Sequence, residues 1–150
     1  MNPVLLSLDL SSTTIGWIIL DGTVRDQGTI KLTGADIADR CRQAFAAVGL
    51  IIETHPDIDC VAIESPVARY AKAVIPQARV SGAVLARAAL FGLHAIEVTP
   101  SQAKLALTGR GNASKENMQA RAIACGVSGE HAADALGCAL AALGRVKVAV

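Results

Sequence analysis

Two acidic residues stand alone at the ends of strongly apolar segments. Asp9 lies near the end of the run VLLSLDL, and Glu64 directly follows the run CVAI. A carboxylate that is buried without a partner is costly, so each must meet a cation, a hydrogen-bond donor or water. Two simpler interpretations stay open. Asp9 can serve as a turn carboxylate that accepts from the amides of residues 11–13, and Glu64 can be a solvated strand end beside Pro66.

A second pair of candidates begins a C-terminal segment rich in alanine. His131 and Asp134 are three residues apart, so in a helix both side chains lie on one face. The alternative is an acid that the helix dipole favours near the N-terminus, beside a partly buried histidine. If the strands of Asp9 and Glu64 are neighbours and this helix reaches the same edge of the sheet, the four side chains converge.

Such a cluster has a defined chemistry. Three carboxylates at close range repel one another and repel phosphate, and only divalent cations make the arrangement stable. Oxygen ligands select Mg²⁺ or Mn²⁺, and an added imidazole suits Mn²⁺ better. Two such ions about 4 Å apart can hold a phosphodiester, activate a water and stabilise the leaving oxygen. The spacing of the residues leaves this hypothesis open beside the simpler ones.

The elements that must position these residues alternate in type along the chain. Apolar periodicity and turn residues predict strands at 4–10, 15–20 and 27–32, then at 60–63 ending at Glu64, and at 95–98. Helices are predicted at 36–54, 76–91, 100–107, 114–124 and 131–143, with Asp36 in a first turn, Ser114 and Ser128 as caps, and Gly92 as a C-terminal glycine. This order predicts an α/β domain with a mixed five-stranded sheet, in which three antiparallel strands precede two parallel ones, flanked by helices.

The length and composition predict one domain with a substantial core. The chain has 150 residues, of which 52 % are hydrophobic and 18 % charged; this excludes disordered and collagen-like classes, and we expect residues 1–150 to form one domain. The four cysteines form no CxxC pair, which predicts buried free thiols in a reducing compartment. No signal peptide and no apolar run of membrane-spanning length is present, so we expect a soluble, cytoplasmic protein without a membrane partner.

Charge is distributed unevenly although the net charge is only +1. Between residues 65 and 127 the acids are Glu97 and Glu116, whereas eight residues are basic. This segment is a candidate surface for a polyanion such as DNA, and solvated helix faces are the alternative. The basic residues are Arg69, Lys72, Arg79, Arg87, Lys104, Arg110, Lys115 and Arg121.

Four segments together resemble one family. They are LSLDLSSTTIGWIIL, CVAIESP, EVTPSQAKLALTGRGNASKENM and HAADALGCALAAL. The chain resembles the RuvC-type Holliday junction resolvases, which have an RNase H-like fold, and the resemblance runs nearly end to end. The third and fourth segments are the specific ones, because the opening segment is similar to those of other RNase H-like proteins.

The resemblance implies a function and a set of site residues. It implies Asp9, Glu64, His131 and Asp134 as the catalytic and metal-binding positions, with two Mg²⁺ or Mn²⁺ ions. It implies a homodimer that nicks two symmetry-related strands of a four-way junction and leaves 5′-phosphate and 3′-hydroxyl ends, with a branch-migration complex as a candidate partner. Lys104 and Lys115 are implied as contacts to the DNA backbone. Further DNA-binding candidates are Arg110, whose flanking glycines let backbone approach phosphate, together with Arg69, Tyr70 and Lys72.

Some positions depart from the family pattern. His131 stands where the family usually has Asp, and an imidazole at this position can alter metal preference or pH dependence. It acts either as a metal ligand or as a proton carrier. Leu10 and Ser11 replace a common Pro-Gly pair. Val67 stands where the family has an aromatic residue, and Tyr70 is a candidate substitute.

Two other functions therefore stay open. The first is a related metal nuclease for other branched or single-stranded DNA, and the second is a junction-binding protein without catalytic activity. An actin-like kinase or ATPase is disfavoured, because 150 residues cannot supply both lobes of that architecture.

Overall fold

The computed structural model describes residues 2–67 and 71–145, and a mixed sheet lies at its centre. The strands are β1 (Leu5–Leu10), β2 (Thr14–Asp21), β3 (Thr23–Lys31), β4 (Cys60–Glu64) and β5 (His94–Val98), in the spatial order β3-β2-β1-β4-β5. The first three strands pair antiparallel, whereas β4 pairs parallel with both β1 and β5. The predicted mixed α/β sheet is thus confirmed.

Helices cover both faces of this sheet. They are α1 (Ile37–Thr54), α2 (Ala71–Leu90), α3 (Pro100–Thr108), α4 (Lys115–Ala124) and α5 (Glu130–Leu143). One apolar core joins α1 and α2 to the sheet, and a second joins α3, α4 and α5 to the opposite face. Two cores are needed because β1 and β4 are central strands that present apolar side chains on both faces.

The alternation of side chains along β1 determines which way Asp9 faces. Leu6, Leu8 and Leu10 lie in the core beneath α1 and α2, whereas Leu5 lies in the core beneath α5. Ser7 also faces α5, because its hydroxyl donates to the carbonyl of Ala135 at 2.6 Å. Since side chains alternate with a period of two, Asp9 points towards α5 as well.

The same alternation applies to β4. Val61 and Ile63 belong to the core beneath α1 and α2, and Cys60 and Ala62 belong to the core beneath α5. Glu64 continues the second series. The acids that end these two adjacent strands therefore share one face of the sheet.

Small residues allow α5 to lie very close to this face. A Cβ atom at Gly16 in β2 would be 2.7 Å from the Cβ of His131, and one at Gly137 in α5 would be 2.8 Å from the carbonyl oxygen of Ala103. Larger side chains at these points would force the helix away from the strands or from α3.

Two element boundaries differ from prediction. Strand β3 begins at Thr23, four residues earlier than predicted, because it is an exposed edge strand whose polar residues carry little hydrophobic pattern. Helix α2 begins at Ala71 and contains Pro76, whereas Pro76 was predicted to start it. Near the beginning of a long helix the proline removes only one backbone hydrogen bond, to Lys72, which the rest of the helix offsets.

The caps are mostly those predicted. Ser114 accepts from the amide of Asn117, and Gly92 follows α2 with φ +73°. Asp36 is the N-cap of α1 rather than a first-turn acid. The prediction that Ser128 caps α5 is wrong: the N-cap is Gly129, with φ +100°, a conformation that glycine adopts without strain.

The cysteines and the apolar character of the helices can be compared with the predictions. All four cysteines are free, and Cys60 and Cys138 are buried as expected, but Cys125 is exposed and Cys41 only half-buried. Over the ranges 2–67 and 71–145, none of the helices has both the length and the apolar character that a membrane crossing requires.

Candidate active site

Asp9 and His131 meet directly at the end of β1. The carboxylate Oδ2 of Asp9 lies 2.8 Å from Nδ1 of His131, and only 13 % of the Asp9 side chain is exposed. The turn that follows is closed by Ser11, whose hydroxyl accepts from the amides of Thr13 and Thr14. Ser11 thus performs the turn role that was one alternative for Asp9.

Glu64 lies beside Asp9 because their strands are parallel neighbours. Leu8 is paired with Ile63, so the next residue on each strand is one of the two acids. Burial, with smaller contributions from the charges of Asp9 and Asp134, raises the pKa of Glu64 to about 8. The alternative of a solvated strand end does not agree with a half-buried carboxyl in this environment.

Asp134 completes the acidic group from the first turns of α5. Burial raises its pKa to about 6, and the charges of Asp9 and Glu130 add to the shift, whereas His131 and Lys115 oppose it. Burial also raises the pKa of Asp9, although its bond to His131 acts in the opposite direction. The three carboxyls therefore share one poorly solvated region, to which α5 contributes both His131 and Asp134.

The chemistry of this group fits a divalent cation. The raised pKa values mean that burial, with smaller contributions from neighbouring carboxylates, opposes ionisation of the three carboxyls together, and the positive charge of a metal ion would offset this. In the part of the chain that the structure describes, no three His, Cys, Asp or Glu side chains are already arranged as a metal-binding group. Asp9 is instead engaged by His131 through its Oδ2.

Two lysines border the acids. Lys104 in α3 is close enough to Glu64 to lower the pKa of that carboxyl. Lys115 begins α4, and its ammonium Nζ lies 2.5 Å from Oε1 of Glu130, the first residue of α5. Both lysines that the resemblance assigned to DNA are therefore next to the acidic group.

Of the other DNA-binding candidates within the described residues, Arg110 and Lys72 make no hydrogen bond or ion pair with the acidic group. Arg110 lines a separate cleft of about 290 Å³ with Asn117 and Arg121. Lys72 is exposed near the start of α2. Arg69 and Tyr70 lie outside the described residues.

A larger cavity of about 620 Å³ opens beside Lys104. Val67, the position where the resemblance leads us to expect an aromatic residue, lines it from the segment after β4. The remaining walls come from the start of α3 and the following loop, with Thr99, Pro100, Ser101, Gly111 and Asn112. This volume is large enough for a nucleotide beside Lys104.

Sequence reasoning missed two residues that shape the site. Gly16, a glycine within an apolar strand, could have been recognised as a point of close backbone approach, and it is where α5 contacts β2. Glu130 gave no comparable signal, because its partner Lys115 is distant in sequence.

The sheet order and the helices on both faces define an RNase H-like fold. A solved structure of RuvC from Thermus thermophilus has the same fold: the TM-score is 0.80 at 24 % identity, covering 95 % of each chain. The structure of T. thermophilus RuvC in complex with a Holliday junction substrate gives a TM-score of 0.79 at 25 % identity, covering 93 % of this chain and 92 % of that one.

Sequence comparison identifies the family. Residues 6–142 match the family described as "Crossover junction endodeoxyribonuclease RuvC". The RuvC of Erythrobacter litoralis is 31 % identical over 152 residues, covering 92 % of this chain and 91 % of that protein, and the RuvC of Chromohalobacter salexigens is 29 % identical over 146 residues, covering 91 % and 78 %. The chain belongs to the RuvC family, whose members are nucleases that generally depend on metal.

Proposed function

We propose that this chain resolves Holliday junctions with Asp9, Glu64 and Asp134 as its metal-binding carboxylates. Its family consists of crossover junction endodeoxyribonucleases, so the chain is an enzyme that cleaves DNA. The observation that carries the residue assignment is the convergence of three carboxyls with raised pKa values at one edge of the sheet. Carboxylates repel the phosphates of DNA, so a cluster of them serves a nuclease only when bound cations lie between the carboxylates and the DNA.

The residues present suit Mg²⁺ or Mn²⁺, and their number suits two ions. Asp9 lies between Glu64 and the start of α5 and can serve both positions, one with Glu64 and the other with Asp134 or His131. When bound, such ions activate a water for attack on phosphorus and stabilise the departing 3′ oxygen. Hydrolysis in this direction leaves 5′-phosphate and 3′-hydroxyl ends, which a ligase can join.

His131 has two compatible roles. Its Nδ1 is occupied by Asp9, which fixes the orientation of the ring and leaves Nε2 for either a metal ion or a proton. In the first role it replaces the aspartate that is usual in the family, and in the second it transfers a proton at Nε2 during hydrolysis. An imidazole ligand favours Mn²⁺ over Mg²⁺, so a strong Mn²⁺ preference that disappears in His131→Asp would support the ligand role.

Lys104 and Lys115 would hold DNA phosphates next to the acids. Both are basic side chains at the edge of the site, and the cavity beside Lys104 has room for a nucleotide. Phosphate contacts of this kind position DNA without reading its sequence, so junction selection would come from shape and flexibility. Arg110, Lys72, Arg69 and Tyr70 remain candidates for contacts to more distant parts of the DNA.

A homodimer is the assembly that two symmetric nicks require. The outward face of α2 offers exposed apolar side chains, beside Arg79, to a second copy: Ile75 and Leu90 are exposed, and within residues 2–67 and 71–145 nothing lies within 4 Å of a Cβ placed on Gly82. Ala78, Ala86 and Ala89 are exposed on the same face. Small residues with this spacing let two helices approach closely. A branch-migration complex would act on the same DNA as a further partner.

Asp9→Asn tests the assignment on a synthetic four-way junction. Asparagine keeps the size of the side chain but removes the charge, so we expect nicking in Mg²⁺ or Mn²⁺ to fall by at least about 100-fold while junction binding persists. Asp36→Asn, the same chemical change at the N-cap of α1 on the opposite face of the sheet, is the control. Full nicking by Asp9→Asn would remove Asp9 from the site.

The same assay separates the alternative functions. Wild-type protein is compared on four-way junctions, flaps and single strands of equal length, with metal or with EDTA. Preference for flaps or single strands would indicate a related nuclease, and junction binding without nicking in either metal would indicate an inactive binding protein.

A further inference from the structure

One ion pair at the edge of the site involves a lysine that the proposed function assigns to DNA. Lys115 Nζ lies 2.5 Å from Glu130 Oε1, and both side chains are largely exposed. Lys115 is the first residue of α4 and Glu130 the first residue of α5. The pair therefore joins the N-termini of two helices across the surface beside the acids.

The electrostatics place this pair close to the reacting centre. The charge of Lys115 lowers the pKa of Asp134, and the charge of Glu130 raises the pKa values of both Asp9 and Asp134. Glu130 thus adds a fourth negative charge to the region. Its carboxylate occupies Lys115 in the way that a phosphate oxygen of DNA would.

Lys104 provides a contrast within the same site. Among residues 2–67 and 71–145, no carboxylate lies within 4.0 Å of the Lys104 ammonium. Within the described residues, a DNA phosphate can pair with Lys104 without competing with a carboxylate, whereas at Lys115 it competes with Glu130 for the same ammonium.

We propose that Glu130 is a positioning residue that holds Lys115 beside the acids in the free protein and that competes with DNA phosphate for it. This inference rests on the proposed function in one respect, the contact between Lys115 and DNA. Glu130 lowers affinity for DNA in general, and junction DNA with many other contacts can offset that loss. Glu130 thereby restrains binding to DNA that offers few contacts.

The exchange of one ion pair for another has a measurable signature. Salt weakens both the pair that DNA breaks and the pair that it forms, so the two effects partly cancel for Lys115 in the wild type. Without Glu130 only the phosphate contact remains, and its full salt dependence appears. One phosphate contact contributes about 0.9 to the slope of log K against log salt.

Glu130→Gln tests the inference by measuring DNA affinity from low to high salt in EDTA, on a four-way junction and on a plain duplex. We expect binding about two- to five-fold tighter at low salt, because exposed ion pairs are weak. We also expect a slope steeper by up to about one unit. Glu130→Asp keeps the charge and should restore most of the wild-type behaviour.

Two controls separate competition from a general charge effect. Glu116→Gln removes an exposed acid on the same helix as Lys115, and should change the slope much less. In a Lys115→Ala background, Glu130→Gln should no longer steepen the slope, because no lysine is left to release.

The outcomes distinguish this inference from the proposed function. The proposed competition would be overturned if Glu130→Gln left the slope of log K against log salt unchanged, or if Glu116→Gln changed that slope equally. It would also be overturned if the wild-type protein bound neither the four-way junction nor the duplex. Binding with the expected slopes but without nicking in metal would support the competition and contradict the proposed resolvase activity.

Discussion

At the scale of single residues, the acids of this site lie in buried surroundings that favour their protonated forms. Glu64 has the largest shift, with a pKa of about 8, because it is half-buried beside Asp9 and Asp134. A carboxyl whose pKa is raised by folding stabilises the protein while it is protonated. This contribution to the free energy of unfolding is fully present below the pKa of Glu64 in the unfolded chain, near 4.5. It is lost as the pH rises through the pKa of the folded state, about 8.

Glu64→Gln should therefore separate stability from activity. In EDTA we expect the free energy of unfolding of the wild type to fall between about pH 5 and pH 8, and the variant to be more stable than the wild type by about 1–3 kcal/mol at pH 8.5 but not at pH 4. Nicking in metal should be lost, because glutamine is a poor ligand for Mg²⁺ or Mn²⁺. Urea unfolding at several pH values measures the effect, and equal stability of the two proteins at pH 8.5 would contradict it.

At the scale of elements, the site depends on how closely α5 approaches the strands. The strands present small side chains, or none, to this helix at Ser7, Gly16 and Ala62. The face of α5 that packs against them is buried and rich in alanine. The hydrogen bond from Ser7 to Ala135 fixes the helix along β1. This packing sets where His131 and Asp134 stand relative to Asp9, so changes outside the acids should alter the site.

Gly16→Ala should damage both stability and catalysis. Its Cβ would be 2.7 Å from the Cβ and 2.8 Å from the carbonyl oxygen of His131, so α5 must move. We expect a loss of about 1–3 kcal/mol in unfolding free energy and a clear loss of nicking. Gly144→Ala is the matched control, because its nearest neighbour would be 3.6 Å away. If Gly16→Ala is as active and stable as Gly144→Ala, the close approach has no functional importance.

At the scale of the whole molecule, the two faces of the sheet have different roles. The face beneath α5 carries the acids, and the helices on that side contribute Lys104 and Lys115. The other face is covered by α1 and α2, and the outward side of α2 carries exposed apolar side chains together with Lys72 and Arg79. The proposed dimer through α2 would leave each acidic site free for DNA. That residues 1–150 fold as one independent domain stays a prediction.

Ala86→Glu tests the dimer. A carboxylate on the outward face of α2 should disrupt contact between two copies while leaving each fold intact, since Ala86 is exposed. We expect a shift from dimer to monomer by light scattering, and nicking of one strand at a time rather than paired nicks in a plasmid-borne junction. Ala106→Glu, at an exposed position of α3, is the control. A variant that remains dimeric would contradict the α2 interface.

The sequence by itself determined the fold class with its mixed five-stranded sheet, most helix limits and the candidate acids, but not the order of the strands. Strand alternation is local: a period of two along LLSLDL and CVAIE decides which face Asp9 and Glu64 share once the strands are neighbours. Element limits were wrong where local patterns are weak, at the polar edge strand β3 and at the start of α2 before Pro76. The cap of α5 was wrong because a glycine with positive φ took the place expected for Ser128.

Only the tertiary structure decided how the parts of the site meet. The bond between Asp9 and His131 joins residues 122 positions apart, and no local propensity specifies such a contact. The pairing of Lys115 with Glu130 and the approach of α5 to Gly16 are also products of packing. The same is true of the pKa values, because burial and neighbouring charges exist only when the strands and α5 are assembled.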